Sequence, residues 1–482
     1  MIVRRIRLYL LYLLYIYQLL YSQDNASQHN CFSILVGKDA TTDGSVLFAH
    51  NEDDSGVNLV NWYKVPRLSH QIGENISLIN GGQLPQVNET YSFLWLEMPG
   101  QPFADSFMNE YGVTIASDAC QSKEDNPELE NGGIGYYLRR IMAERAKSAK
   151  DAVKIAGEIV ENVGYASSGR TYCIADPNEA WMMSVVNGKH WVAQRIPDNH
   201  VAIIPNYYTI KNIDLTDTLN FLGSPDIIDY AIDRGWYDPK SGKEFSFRLA
   251  YGKPSSINNV RNIAREWGAV NLLSTVKYEL SDEFPFSFIP KNKVSVQDLM
   301  DVLKHHYEGT SLEDKNIASP HDYDILPICR KDTQYGMIAH LRSWLPIEIG
   351  AVMWLAPHRP CSQVFIPWYF GINKIPSKFA VGDYHSALEN HFNKYDDIKL
   401  QTNSHIFWNY VNYAEYIDNY YYTLMPSIVA KKEDTQNKIF KKFSIFDKKI
   451  EKQYYLNPQN IYNLINRFTD KMIKISVNYI EK

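Results

Sequence analysis

Residues 31–36 (CFSILV) form a largely apolar run, residues 37–44 a turn closing on Asp43-Gly44, and residues 45–50 a second largely apolar run. A short apolar run bounded by turn residues reads as a buried strand, so this stretch predicts a hairpin with Cys31 at its free end. Residues 136–148 are rich in good helix formers, and Ser148 followed three positions later by Asp151 signals a second helix ending near Gly164. The pattern then turns β: residues 171–175, a DPNE turn at 176–179, residues 180–186, an Asn187-Gly188 hairpin turn and residues 190–196. Strands, two consecutive helices and further strands predict an α+β chain whose sheets are covered by helices, with the helix pair on one sheet face. From about residue 215 to 311 short helices mix with loops, and from Gly382 onward the pattern is mostly helical. Lysines between 431 and 452 interleave with Glu433, Asp434, Asp447 and Glu451, the pattern of a solvated helix face.

The amino terminus has a different character. Arg4, Arg5 and Arg7 precede an apolar run over residues 8–20 and then the polar stretch SQDNASQHN, the order of a secretory leader. The expected cut follows Ser22, giving a leader at 1–22 and a short pro-segment at 23–30. The apolar run is short for a membrane span and is broken by tyrosines and Gln18, so a retained anchor is the weaker reading. The chain is expected to be secreted or otherwise extracytoplasmic, in a periplasm, secretory pathway or lysosome-like compartment. Sequons occur at Asn25, Asn75 and Asn88.

Over 482 residues, 45% hydrophobic and 22% charged, there is material for a large core, and a net charge of -6 offers no basic field for nucleic acid. The cysteines at 31, 120, 173, 329 and 361 contain no CxxC pair, so neither a disulfide-dense scaffold nor a structural zinc site is indicated. Their odd number leaves at least one thiol free, and one or two disulfides among the others stay open. His305, His306 and Glu308 lack HxxxH or HExxH spacing, so no metal and no cofactor are expected.

Cys31 is the candidate for chemistry. A thiol with a pKa of about 8.5 is only slightly ionised at neutral pH and needs a base. If Cys31 opens the mature chain, its own α-amine, with a pKa of about 7.7–8.0, meets that need without a histidine. The competing reading is a small buried residue at a strand start. No CGSCW-type signature surrounds any cysteine, and the polar SQHN before Cys31 does not suit lipidation.

The blocks CFSILVGKDATTDGSVLFAHNEDD, MNEYGVTIASDAC, GGIGYYLRRIMAERAKSAKDAV, SSGRTYCIADPNEAWMMSVV, VAIIPNYY, HYEGT and ICRKDTQYG occur in that order. Together they resemble the C69 dipeptidase family, over about residues 31–408. The resemblance implies a four-layer αββα N-terminal-nucleophile hydrolase fold, followed by a helical C-terminal extension at 409–482. It implies hydrolysis of short peptides by a cysteine-type dipeptidase, without metal.

Carried over residue by residue, Cys31 matches the nucleophile and Asp53 an aspartate that contacts the N-terminal amine. Asn206 matches an oxyanion-stabilising asparagine. Arg248 matches an arginine that pairs with Asp53 or orients the thiolate. Groups around residues 117–119 are candidates to complete the oxyanion site. His50 stands where many relatives have arginine. Asn109 and HYEGT are family marks without a derivable role. Two alternatives share these residues: an amidase of N-acylated small molecules, and a secreted non-catalytic binding protein. A homo-oligomer is compatible with all of them.

Overall fold

The computed structural model describes residues 31–392 and 404–481, so the expected leader, pro-segment and Asn25 sequon lie outside the described residues. Two large antiparallel sheets face each other. The seven-stranded sheet runs, edge to edge, Ser287–Phe288, Val201–Ile204, β1 (Phe32–Val36), β2 (Val46–Asp53), Thr333–Leu341, Ala351–Pro357 and Ile366–Tyr369. The eight-stranded sheet runs Phe221–Gly223, Trp191–Arg195, Ala180–Val185, Arg170–Ala175, Thr114–Ala119, Ser106–Asn109, Phe93–Glu97 and Asn61–Val65. The predicted hairpin is therefore central to its sheet, with β1 paired on one side to β2 and on the other to Val201–Ile204. Every residue of β1 and β2 is buried because both faces are covered, which accounts for the largely apolar sequence from Phe32 to Val36 and from Val46 to Ala49.

The helix pair is Tyr137–Arg145 and Ala149–Val163. Ser148 caps the second helix by accepting a hydrogen bond from the Asp151 N–H, as its spacing predicts. Buried Ala149, Ala152, Val153, Ala156, Gly157 and Val160 recur at helical spacing and lie on the outer face of the eight-stranded sheet. Gly157 has to be glycine there, since a Cβ would meet Trp191 Cζ2 at 2.1 Å.

The outer face of the seven-stranded sheet is covered by the helices Val260–Leu273 and Val296–Leu303 and by the C-terminal helices Tyr421–Leu456 and Ile461–Ile480. The four layers are thus helix, sheet, sheet and helix, as the resemblance implies. The C-terminal helices belong to this core. Phe440 and Phe443 pack on Trp354 at 5.0 and 4.7 Å between ring centroids, and Phe446 stacks on Phe468 at 4.1 Å. A boundary after residue 408 falls inside the helix Phe407–Asp418, so the expected extension is continuous with the layer before it. The lysine-rich face is mostly solvated, with one exception: Lys432 is buried and donates to the carbonyls of Pro360 and Cys361.

Asn109 acquires a structural role. Its Nδ2 donates to the carbonyls of Ala143 and Ala146 at 3.0 and 2.8 Å, and its Oδ1 accepts from the N–H groups of Tyr111 and Val113 at 3.0 Å each. One side chain ties the turn between two strands to the end of a helix. Asn109→Ala strands these buried groups and is expected to lower the unfolding free energy by roughly 2–4 kcal/mol in denaturant titration. Activity per folded molecule stays near the parent's; a stability loss below about 0.5 kcal/mol contradicts the clamp.

Candidate active site

The register of the central hairpin builds the site. Ser33 pairs with His50 and Phe32 with Asn51. Because side chains alternate along a strand, Cys31, Ser33, His50 and Glu52 share the face turned toward the eight-stranded sheet, whereas Asn51 and Asp53 face the helices. On the inner face the groups form a chain. Cys31 Sγ donates to Glu52 Oε1 at 2.9 Å, and Glu52 Oε2 lies 3.1 Å from His50 Nε2. His50 Nδ1 lies 2.7 Å from Ser33 Oγ, which donates to Asp118 Oδ2 at 2.6 Å. All five side chains are buried.

One arrangement of protons serves every member. Ser33 donates to Asp118, so His50 Nδ1 donates to Ser33, and the neutral ring must then accept at Nε2 from a protonated Glu52. The electrostatics agree: burial pushes Glu52 up to about 8 and pulls His50 down to about 4, so near neutral pH the first is uncharged acid and the second uncharged base. Asp118 is raised by burial to about 6. Burial, followed by the charges of Glu52, Asp118 and Asp53, holds the Cys31 thiol well above its ordinary value. With residues still attached before it, Cys31 is a protonated, fully buried thiol.

On the opposite face Asp53 Oδ1 accepts from Thr333 Oγ1 at 2.5 Å, and Oδ2 lies 3.9 Å from Arg265 Nη1. The same Nη1 donates to the Cys31 carbonyl at 3.3 Å, which places the Asp53 carboxylate by the main chain of Cys31, while the Asp53 carbonyl lies 3.8 Å from the Cys31 thiol. Burial raises Asp53 to about 8 against the pull of Arg330 and Arg265.

Arg265 Nη2 also donates to Asn206 Oδ1 at 2.5 Å. Asn206 is in the left-handed region, at φ 75°, a conformation asparagine tolerates better than most residues. Its carbonyl is held by Ser256 Oγ at 2.9 Å, and its buried Nδ2 has no hydrogen-bond partner among the described residues. A preorganised amide donor left unpaired in a buried site is what a developing oxyanion requires.

The structure thus brings Cys31, Asp53 and Asn206 together around the guanidinium of Arg265. Arg248 lies over the Tyr207 ring, 4.7 Å from its centroid, and the guanidinium joining Asp53 to Cys31 belongs to Arg265. Arg265 is buried in the helix Val260–Leu273, where an Arg265-Glu266 pair inside an apolar stretch was the available signal. Glu52 was missed as well. His50 is linked to Cys31 through Glu52, in the interior of β2. Near the candidate oxyanion segment, Ser117 Oγ is engaged by Arg170 Nη1 at 3.3 Å. Two groups of side chains among the described residues have ligand atoms within 4.8 Å of one another: Cys31, His50 and Glu52, already joined by hydrogen bonds, and a second group of His306, His321, Cys329 and Cys361.

A buried thiol at the head of a hairpin between two antiparallel sheets, with an acid, an imidazole and an amide donor around it, defines a centre suited to acyl transfer. The chain belongs to peptidase family C69, whose profile matches residues 30–420. A protein of Latilactobacillus sakei named "Probable dipeptidase" is 27% identical over 391 residues, covering 78% of this chain and 81% of that one. One from Salmonella dublin with the same name is 28% identical over 355 residues, covering 71% and 81%. Among solved structures, penicillin V acylase from Agrobacterium tumefaciens aligns at 10% identity and a TM-score of 0.37, over 70% of this chain and 86% of that one. At that score the likeness carries no weight, and the fold rests on the strands and helices described above.

Glu52 makes stability depend on pH with a definite sign. Its folded value of about 8 lies above the ordinary 4.5, so the stability it contributes is full below pH 4.5 and is lost as pH rises toward 8. Glutamine reproduces the protonated acid's hydrogen bonds and does not titrate. Denaturant unfolding of Glu52→Gln at about pH 5 and pH 8 should therefore show a smaller loss of stability over that interval than in the parent. Equal losses in the two proteins refute the protonated Glu52.

Proposed function

We propose that this peptidase is a cysteine-type dipeptidase in which Cys31, once it is the first residue, attacks the carbonyl of a short peptide. The carrying observation is the coincidence at Arg265: one guanidinium holds both the Cys31 carbonyl, at 3.3 Å, and the amide of Asn206, whose Nδ2 is left to donate. Membership of family C69 and the "Probable dipeptidase" relatives support the substrate class.

In this mechanism the α-amine of Cys31 takes the thiol proton and the sulfur bonds to the scissile carbonyl carbon. Asn206 Nδ2 donates to the oxygen as it becomes anionic. The C–N bond breaks, the leaving amine takes the proton, and the acyl group stays on sulfur as a thioester. Water, deprotonated by the same amine, then cleaves the thioester, and the proton returns to the thiol. Asp53, beside the main chain of Cys31, is drawn into its ionised form by the amine as that becomes protonated, and so stabilises the ammonium. Glu52 orients the thiol as a hydrogen-bond acceptor. The leader is removed before or with the cut after Asn30, and the enzyme works outside the cytoplasm. Among the described residues no helix is long and apolar enough to cross a membrane.

The test combines the amino-terminal residue of the purified chain, by mass spectrometry, with turnover of a dipeptide panel beside N-acyl amino acids. A chain beginning at Cys31 that prefers dipeptides is expected. Cys31→Ala should abolish turnover, and Asn206→Ala should lower kcat about 10²–10³-fold with a smaller change in KM. Undiminished turnover by Cys31→Ala, or by a chain that still carries residues before Cys31, overturns the mechanism; preference for N-acyl amino acids overturns the substrate class.

A further inference from the structure

Away from Cys31, four chain segments converge on a second buried centre. His306 follows the helix Val296–Leu303, His321 lies in the turn Pro320–Asp322, Cys329 precedes the strand Thr333–Leu341, and Cys361 lies between Ala351–Pro357 and Ile366–Tyr369. Their ligand atoms lie within 4.8 Å of one another and all four residues are buried. His321 Nε2 is 3.6 Å from Cys361 Sγ and 3.9 Å from Cys329 Sγ. A tetrahedron with metal–nitrogen bonds of about 2.0–2.1 Å and metal–sulfur bonds of about 2.3 Å has nitrogen–sulfur edges of about 3.6 Å.

The outer nitrogens of both imidazoles are already engaged. His306 Nδ1 is 2.8 Å from Glu308 Oε1, and His321 Nδ1 is 2.6 Å from Asp418 Oδ1. A carboxylate makes the facing Nδ1 the protonated nitrogen and leaves the Nε2 lone pair free. The two Nε2 atoms face each other at 2.9 Å, and a metal cation bound between them would move the nitrogens apart by a few tenths of an ångström toward the tetrahedral edge of about 3.3 Å. Two thiols and two imidazoles, each imidazole backed by a carboxylate, match the soft, closed ligand set of zinc.

We propose that His306 Nε2, His321 Nε2, Cys329 Sγ and Cys361 Sγ bind one zinc ion as a structural site. Both thiols lose their protons to solvent on binding. The site joins the seven-stranded sheet to the C-terminal helices, because Asp418 ends one of them and Arg359 Nη1 holds its other oxygen at 2.5 Å. Buried Lys432 fixes the chain on either side of Cys361 by donating to the carbonyls of Pro360 and Cys361. A cavity of about 500 Å³ lined by His306, Cys361, Tyr421 and Lys432 gives ions and chelators a way in. The ligand positions, 306, 321, 329 and 361, match no short-spacing rule, so their spacing alone does not point to a metal.

The test uses the full chain purified under reducing conditions without chelator, with metal measured by plasma mass spectrometry. About one zinc per chain is expected, falling to below about a tenth in Cys361→Ser and in Cys329→Ser, and unchanged in Cys31→Ala. Exchange for cobalt(II) should give thiolate-to-cobalt charge transfer and the intense d–d bands of a tetrahedral site, which decides the matter even if a ligand variant fails to fold. Chelation should lower the thermal midpoint of the parent. Failure of reduced parent protein to take up zinc or cobalt overturns the proposal, as does a Cys329–Cys361 disulfide in metal-free protein or loss of the metal in Cys31→Ala. These readouts do not depend on whether the enzyme cleaves dipeptides.

Discussion

The pairing of β1 with β2 is the constraint on which the rest of the site depends. A slip of one residue would turn Cys31 and Ser33 to the helical face and part them from Glu52 and His50. The register is held because both faces of the hairpin are dry: Phe32, Ile34, Leu35 and Phe48 are all fully buried, and each slipped alternative would exchange apolar and polar side chains between packed layers. The same buried apolar residues that form the core also aim the nucleophile.

Within that core runs a column of polar groups from Cys31 to Asp118, tolerable in a low-dielectric interior because each member has a partner. Asn206 is the contrast, with one end of its amide tied to Arg265, the other end unpaired, and a left-handed backbone beneath. An unpaired buried donor on a left-handed residue is a local cost, and Asn206 bears it while its other polar groups are tied to Arg265 and Ser256.

The elements set by local pattern were legible in the sequence: the hairpin, the capped helix pair, and the strands around the DPNE and Asn187-Gly188 turns. The site was legible only in part. The return strand was expected to end at His50, but it runs on to Asp53, and this extra length buries Glu52 and sets the two neighbouring acids on opposite faces. Arg265 lies on a helix of 14 residues in a region whose composition suggested only short helices and loops, and its partners come from distant strands. The C-terminal helices carry many lysines on their solvent side, which masks the aromatic stripe that meets Trp354 and Tyr369. In each case the missing information was tertiary: which segment a face would meet.

All five cysteines are buried and none is in a disulfide, and Cys329 and Cys361 lie together in a centre separate from Cys31. Thiol chemistry in this molecule is therefore not synonymous with Cys31. A reagent that inactivates the protein by reaching Cys329 or Cys361 would do so by loosening the junction of sheet and C-terminal helices, and the loss would resemble modification of a nucleophile. The segment from Cys329 to Thr333 sharpens the ambiguity, since it begins in one polar centre and ends on Asp53 in the other. Damage at the first centre would be transmitted to the second through four peptide bonds.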